Sequence, residues 1–475
     1  MKLLGFQRLA GLALAAMIMG APLAVHAQNE ATNAPVAEAN AAADTNATNA
    51  AAPAAAEPAA AAPAAPKIDT GDTAWMLTSS LLVLMMTIPG LALFYGGMVR
   101  KKNILATLAQ SFGATCVITV LWLVIGYSLA FTDGGGSNNF IGGFKYAMLA
   151  PMGLNATSSL APTIPESVYM MFQMTFAIIT PALIAGALAD RMKYSAFLVF
   201  MGAWLLLVYC PIAHWVWGGG WLGKAGALDY AGGTVVHLNA GTAGLIAALM
   251  LGKRKGLGSE SMAPHNLAYS VIGASLLWVG WFGFNAGSAV TSNVNAGMAM
   301  AATQIATAGA ALAWMFAEWI IAKKPSVLGM VSGAVAGLVA ITPASGFVNP
   351  GDALLIGIIA GLVCYWAAVH LKKMIGYDDA LDCWGVHGIG GATGAILTGV
   401  FASNSINSLA KGWIHDNNPG QMLLQFEDVG ATFIYCAAVT FVILLVIKYT
   451  IGLRVSEDVE VEGLDINLHG EVVHG

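Results

Sequence analysis

GVHGIGGATGAILTG, residues 385–399, sets one histidine in a run of small apolar residues with no charge on either side. VVHLNAGTAGLIAAL, residues 235–249, repeats the pattern: Val-His, then glycine four and seven positions past the histidine, Gly241 and Gly244 in one stretch, Gly391 and Gly394 in the other. Apolar runs of this length read as membrane-spanning helices, because a helix satisfies its own backbone where water is absent. An ionisable side chain inside such a helix is expensive, which makes it a functional candidate by default. The plain alternative is a packing histidine bonded to a neighbouring carbonyl. Two histidines in matching glycine-rich settings argue against that for both.

The whole chain agrees with a membrane setting. Of 475 residues, 57% are hydrophobic and 9% charged, and mean hydropathy is +0.71. Much of its surface must therefore face something other than water, and the fold expected is an all-α polytopic membrane protein. Eleven apolar segments are long enough to span: 75–99, 108–131, 168–188, 196–217, 233–252, 267–287, 296–322, 328–345, 353–371, 384–403 and 429–450. Five run through the span of His237 and five more through that of His387. An odd number per repeat inverts one half relative to the other, an arrangement that places a transport site where the halves meet. The net charge of −5 gives no sign of nucleic-acid binding, and the five cysteines form neither an even framework nor a CxxC metal pair.

Alternate loops differ in charge. One set carries Arg100, Lys101, Lys102, Arg191, Lys193, Lys253, Arg254, Lys255, Lys323, Lys324, Lys372, Lys373, Lys448 and Arg454; the other carries Lys145, Lys224 and Lys411. The positive-inside rule then puts the N-terminus outside and the tail from Gly452 in the cytoplasm. The start of the chain fits that orientation. Residues 1–27 have a basic start, a short apolar run and the small-residue end Val25-His26-Ala27, a signal-peptide pattern for which a first membrane anchor is the alternative. Residues 28–68, rich in Ala, Pro, Asn and Thr, read as a disordered tether on the exported side. The membrane domain covers 69–451 and the tail 452–475.

Of nine histidines, only His237 and His387 lie well inside expected spans, and no Asp, Glu, Lys or Arg is expected mid-span. Close packing at the four glycines can bring both rings to the centre. Burial favours the neutral ring, which offers one donor and one acceptor, so a pair can line a path for a small polar molecule and pass a proton without a fixed charge. Ligation of a metal or haem by the pair is a competing use. The lack of carboxylates and thiolates counts against a metal, while two histidines alone leave haem open.

Several motifs in order, IAHWVWGGG (212–220), ALDYAGGTVVHLNAGTAGL (227–245), APHNLAY (263–269), GWFGFNAGS (280–288), DCWGVHGIGG (382–391) and GLRVSEDVEVEGLDINLHGE (452–471), closely resemble the ammonium transporter family, the Amt branch of the Amt/Mep/Rh superfamily. The resemblance covers nearly everything after residue 70. It implies an eleven-helix protomer in the bacterial inner membrane, a homotrimer, no cofactor and no enzymatic activity, with one narrow pore per protomer carrying ammonium or ammonia. By the same resemblance, His237 and His387 are the twin histidines of the pore. Trp217, Phe176 and Ser288 form the periplasmic recruitment site, and Phe176 with Phe284 the gate. Phe172 and Gln173, from FQMTFA, and Trp281 lie near the vestibule, and Asp229 supports the site from below. Trp217 together with Ser288 favours Amt over Rh. The tail pattern implies docking of a PII-type signal protein.

The residue types suit that chemistry. Aromatic faces attract a small cation, and a serine hydroxyl accepts a hydrogen bond that ammonium can donate and sodium or potassium cannot. Alone, Trp217 would read as part of an interfacial belt and Asp229 as a helix cap. Driving an intact cation through an apolar pore is expensive, so the implied mechanism is recruitment of ammonium, deprotonation and passage of ammonia, with proton transfer along the histidines as a further hypothesis. A sensor with little flux is the competing functional class.

Overall fold

The computed structural model describes residues 67–473, which form one compact unit. The signal-peptide reading and all but the last two residues of the tether reading fall outside the described residues. Among the described residues the chain is helical throughout its regular structure, with only isolated bridges in place of strands.

Nine helices are long and apolar enough to cross a membrane, among the described residues: α1 Thr70–Met98, α2 Lys101–Phe131, α3 Glu166–Leu188, α4 Tyr194–Ala225, α5 Gly233–Leu251, α6 Leu267–Gly287, α7 Val294–Ala322, α9 Pro350–Ile375 and α11 Gly420–Thr450. The two other expected spans are helical as well. α8, Val327–Ile341, has 15 residues, and α10 covers 383–401, where Cys383–Gly388 runs directly into Ile389–Phe401. Length and apolarity alone do not identify these two as crossings.

α5 and α6 begin where expected; other starts differ because capping and buried polar turns carry no hydropathy signal. α1 begins five residues before Trp75, where Asp69 accepts the backbone N–H of Asp72 at 2.8 Å. α8 begins after Ser326, whose hydroxyl accepts from Gly329 at 2.8 Å. α11 starts at Gly420, well before 429, and its extra turns bury Gln421, Gln425 and Asp428 against protein. Asp428, one residue ahead of the expected span, therefore lies inside α11 and is 0% exposed.

α3 occupies the centre, with 94% of its apolar window buried. A helix apolar all round its circumference needs protein on every side, and α2, α5 and α1 supply it. α5 and α10 cross beside it at their glycines. A Cβ at Gly241 would lie 2.2 Å from the Gly388 nitrogen; one at Gly391 would lie 2.5 Å from the Gly233 oxygen and 3.1 Å from the His237 Cβ. The contacts are reciprocal, each glycine touching the other helix beside its histidine. Only glycine permits this approach.

Backbone geometry repeats the match. Each helix opens after a left-handed residue, Gly232 (φ 114°) or Asp382 (φ 58°), continues through a six-residue π-helical stretch holding the histidine, and ends as a 13-residue α-helix. π-turns of this kind widen a helix locally and cluster at functional sites.

The connections gather at two ends. Segments 132–165, 217–232 and 288–293 meet at one, tied by bonds such as Trp221 N–H to Asn139 O at 3.0 Å. At the other, the tail packs on short loops: Lys193 N–H donates to Leu453 O at 2.9 Å and Val455 N–H to Arg191 O at 3.1 Å. Most of the basic loop residues lie at this second end. Arg254 grips Asp378 at 2.9 Å and Arg454 grips Glu460 at 2.7 Å.

Candidate functional site

α3, the later part of α4 and the segments that follow α4 and α6 build a vestibule at the first end, a cavity of about 280 Å³. Phe172, Gln173, Phe176, Trp217 and Ser288 all line it, so five of the expected residues come together. Leu160, Tyr169, Val216, Tyr230 and Val290 complete the wall, and none of them was a candidate from the sequence. Val290 has φ 57°, a costly conformation for a β-branched residue, in the turn that follows Ser288.

Hydrogen-bond bookkeeping decides which groups face the cavity as acceptors. Ser288 spends its one hydroxyl proton on the Phe284 carbonyl at 2.8 Å, so toward the vestibule its oxygen can only accept. Gln173 donates to Tyr169 Oη at 3.3 Å, while its buried Oε1 has no partner among the described residues. Trp217 donates its indole N–H to the Asp229 carbonyl at 2.8 Å, which fixes the ring at the cavity wall. The vestibule thus presents aromatic faces and oxygen acceptors, a surface suited to a small donor cation.

Beneath it the cavity closes. Phe176 and Phe284 stack with ring centroids 4.1 Å apart, and Phe176 also meets Phe172 at 4.9 Å and Trp217 edge-on at 5.9 Å. Phe284 lies 5.9 Å from the His237 ring, and His237 stacks on His387 at 5.4 Å. Trp281 does not line the vestibule. It lies one level deeper, stacked on His237 at 5.3 Å and bonded through Nε1 to Thr342 at 2.8 Å. A residue three before Phe284 on a helix sits about a turn away along the axis, which puts Trp281 near the vestibule but below it.

The two histidines face each other through Nδ1, 3.3 Å apart, with His237 1% and His387 3% exposed. One Nδ1 must carry the proton and the other accept it, so the pair holds opposite tautomers. The Nε2 atoms then differ too, one a donor and the other an acceptor. His237 Nε2 is buried without a hydrogen-bond partner among the described residues. A small molecule moving past the pair meets both kinds of group.

Asp229 anchors α5. Its carboxylate accepts from the backbone N–H of Gly232, Gly233, Thr234 and Val235 at 2.6 to 3.1 Å and from the Thr234 hydroxyl at 2.8 Å. Five donors leave no room for a proton, so the group is ionised and compensates the N-terminal end of the helix. The cap and the vestibule floor are one structure, since Trp217 bonds the same residue's carbonyl. Asp379 stands eight residues ahead of His387, as Asp229 does of His237, and accepts the Trp384 N–H at 2.7 Å. The sequence reading did not single out Asp379, although this equal spacing was there to find. Burial and the neighbouring Asp382 carboxylate push Asp379 up to about 6.

The comparisons with known proteins fit this geometry. The family model described as Ammonium Transporter Family matches residues 74–474. The chain belongs to the ammonium transporter family. An ammonium transporter of Bacillus subtilis is 50% identical over 401 residues, 84% of this chain and 98% of that protein, and one of Aquifex aeolicus is 52% identical over 407 residues, 85% and 93%. Among solved structures, Saccharomyces cerevisiae Mep2 matches with a TM-score of 0.77 at 37% identity, covering 82% of this chain and 88% of that one. A structure described as Sensor Amt Protein matches with a TM-score of 0.76 at 26% identity, over 84% and 98%.

Proposed function

We propose that this ammonium transporter family member recruits ammonium at the Trp217–Phe176–Ser288 vestibule, where the cation gives its proton to solvent water above the Phe176–Phe284 stack, and passes ammonia along His237 and His387. The observation that carries the reading is the unbroken line of ring contacts from the vestibule to the histidine pair, lined by acceptors at its mouth and by uncharged rings inside. A bare alkali cation gains nothing from the hydrogen-bond acceptors as a donor and faces the full penalty of the apolar stack. In this reading all eleven helices cross the bacterial inner membrane, the vestibule faces the periplasm and the tail the cytoplasm. Basic loops clustered beside the tail support that orientation. The protomer works as a homotrimer, and the tail, seated on those loops, offers the docking surface for a PII-type partner.

Labelled methylammonium uptake by cells without another ammonium transporter tests the proposal. Wild type accumulates label. His237→Asp, which places a fixed charge beside His387, loses methylammonium uptake or gains alkali-cation leak. Unchanged selectivity in that variant would refute the pore assignment. Proton co-transfer is tested separately by current in proteoliposomes after an ammonium step; silence would remove it. The likeness to a sensor Amt protein favours a second reading, signalling through the tail with little flux. Uptake well below that of a known transporter at equal expression supports it.

A further inference from the structure

Asp428 lies within α11, fully buried, and the mechanism above leaves it unused. It belongs to a polar face at helical spacing, Gln421, Gln425, Asp428 and Thr432, each at most 6% exposed. That face clamps the segment leading into α5. Gln425 accepts from Leu228 N–H and donates to Leu228 O, both at 2.8 Å, and Gln421 donates to Gly226 O at 2.9 Å. Asp428 continues the clamp one turn further. Its Oδ2 lies 2.9 Å from Thr234 Oγ1, and Thr234 Oγ1 lies 2.8 Å from Asp229 Oδ2.

A threonine hydroxyl has one proton and cannot donate to two carboxylates at once. Asp229 already takes four backbone N–H groups and has no vacant site for a proton of its own. Among the described residues Asp428 has neither cation nor backbone donor in its hydrogen bonds; its Oδ1 accepts from Thr432 at 3.4 Å and its Oδ2 faces Thr234. The only arrangement that satisfies all three groups is a protonated Asp428 donating to Thr234, which in turn donates to ionised Asp229. An unpaired buried carboxylate in the same place would be heavily penalised. A donor arriving at the Thr234 oxygen also strengthens the bond that Thr234 makes.

We infer that Asp428 is a neutral, protonated acid at working pH and a positioning residue for the pore entrance, directing the Thr234 proton onto Asp229 beneath Trp217. The pair of acids then carries one negative charge, not two. The part of this inference that concerns substrate rests on the proposed ammonium transport; the protonation state does not.

Infrared difference spectra of the full-length protein in lipid, near neutral pH, test it. Wild type minus Asp428→Asn shows the carbonyl band of one protonated carboxylic acid, and Thr234→Val moves that band to higher frequency because the acid loses its acceptor. A carboxylate band pair in place of the acid band, or no shift in Thr234→Val, would overturn the assignment. Asparagine can donate to Thr234 and accept from Thr432 as the neutral acid does, so Asp428→Asn keeps the apparent KM for methylammonium within about twofold of wild type. A rise of about tenfold or more would mean that a negative charge had been removed, and would overturn the neutral state. Were wild type to show no uptake, the infrared arm would still read the proton.

Discussion

Gly241→Ala tests the central crossing directly. An added Cβ would lie 2.2 Å from the Gly388 nitrogen and 2.3 Å from its Cα, both backbone atoms that cannot swing aside. Ordinary contact lies near 3.5 Å, so α5 and α10 must separate by roughly 1 Å in a close-packed centre. The Nδ1 atoms of His237 and His387, now 3.3 Å apart, then pass out of hydrogen-bonding range. The overpacking costs about 1–3 kcal/mol of stability. The broken pair lowers uptake at limiting methylammonium by about tenfold, on the order of one buried hydrogen bond left unmade. Gly391→Ala meets the mirrored contact, 2.5 Å from Gly233 O, and gives the same loss. Gly430→Ala is the control: nothing lies within 4 Å of its Cβ, so it leaves uptake unchanged. Uptake is measured in vesicles with the amount of folded protein fixed by size-exclusion chromatography. A folded Gly241→Ala protein with wild-type uptake would falsify the idea that the spacing of the pair matters.

Three other perturbations read separate parts. Trp217→Leu removes an aromatic face from the vestibule and the bond to the Asp229 carbonyl, and raises the half-saturating methylammonium concentration by about 2- to 30-fold, the equivalent of ~0.5–2 kcal/mol; a concentration series checks it. Asp379 binds its proton more tightly in the folded chain, at about 6 against 3.8, so wild-type stability falls as pH rises through that window, by on the order of 3 kcal/mol once it is crossed. Asp379→Asn escapes the penalty and therefore melts higher than wild type at about pH 7.5, an advantage that vanishes below about pH 4. Asp465 accepts the Leu105 and Ala106 N–H groups near the start of α2, at 3.1 and 2.9 Å, so Asp465→Ala costs about 1 kcal/mol and speeds hydrogen exchange across 453–469.

Apolar runs made the helices legible, and the two His-Gly-Gly patterns made the crossing legible, because both are properties of residues close in sequence. The vestibule's assembly from 169–176, 217, 230 and 288–290 was not, since nothing local says that these segments meet. Resemblance supplied Trp217, Phe176 and Ser288; local reading alone left Trp217 in a belt. Asp428 was missed for a definite reason. The hydropathy window that sets the start of α11 rejects Gln421, Gln425 and Asp428 as polar, although protein rather than lipid surrounds them. Asp379 was within reach, since its spacing from His387 repeats that of Asp229 from His237.

The two halves share a device but load it differently. Asp229 is saturated by five donors and has an aromatic vestibule above it, whereas Asp379 Oδ1 has no hydrogen-bond partner among the described residues and its surroundings include Lys372 and Asp382. A near-symmetric centre conducts equally in both directions, and a better binding site at one mouth changes how fast the pore fills without moving the equilibrium across it. In the proposed mechanism the vestibule therefore sets the concentration range in which the protein works. Accumulation against a gradient needs a coupled charge, and the Nδ1-to-Nδ1 contact of His237 and His387 is where a proton could cross the closed centre. If the proteoliposome current is absent, the asymmetry of the mouths leaves facilitated ammonia flux as the whole of the function.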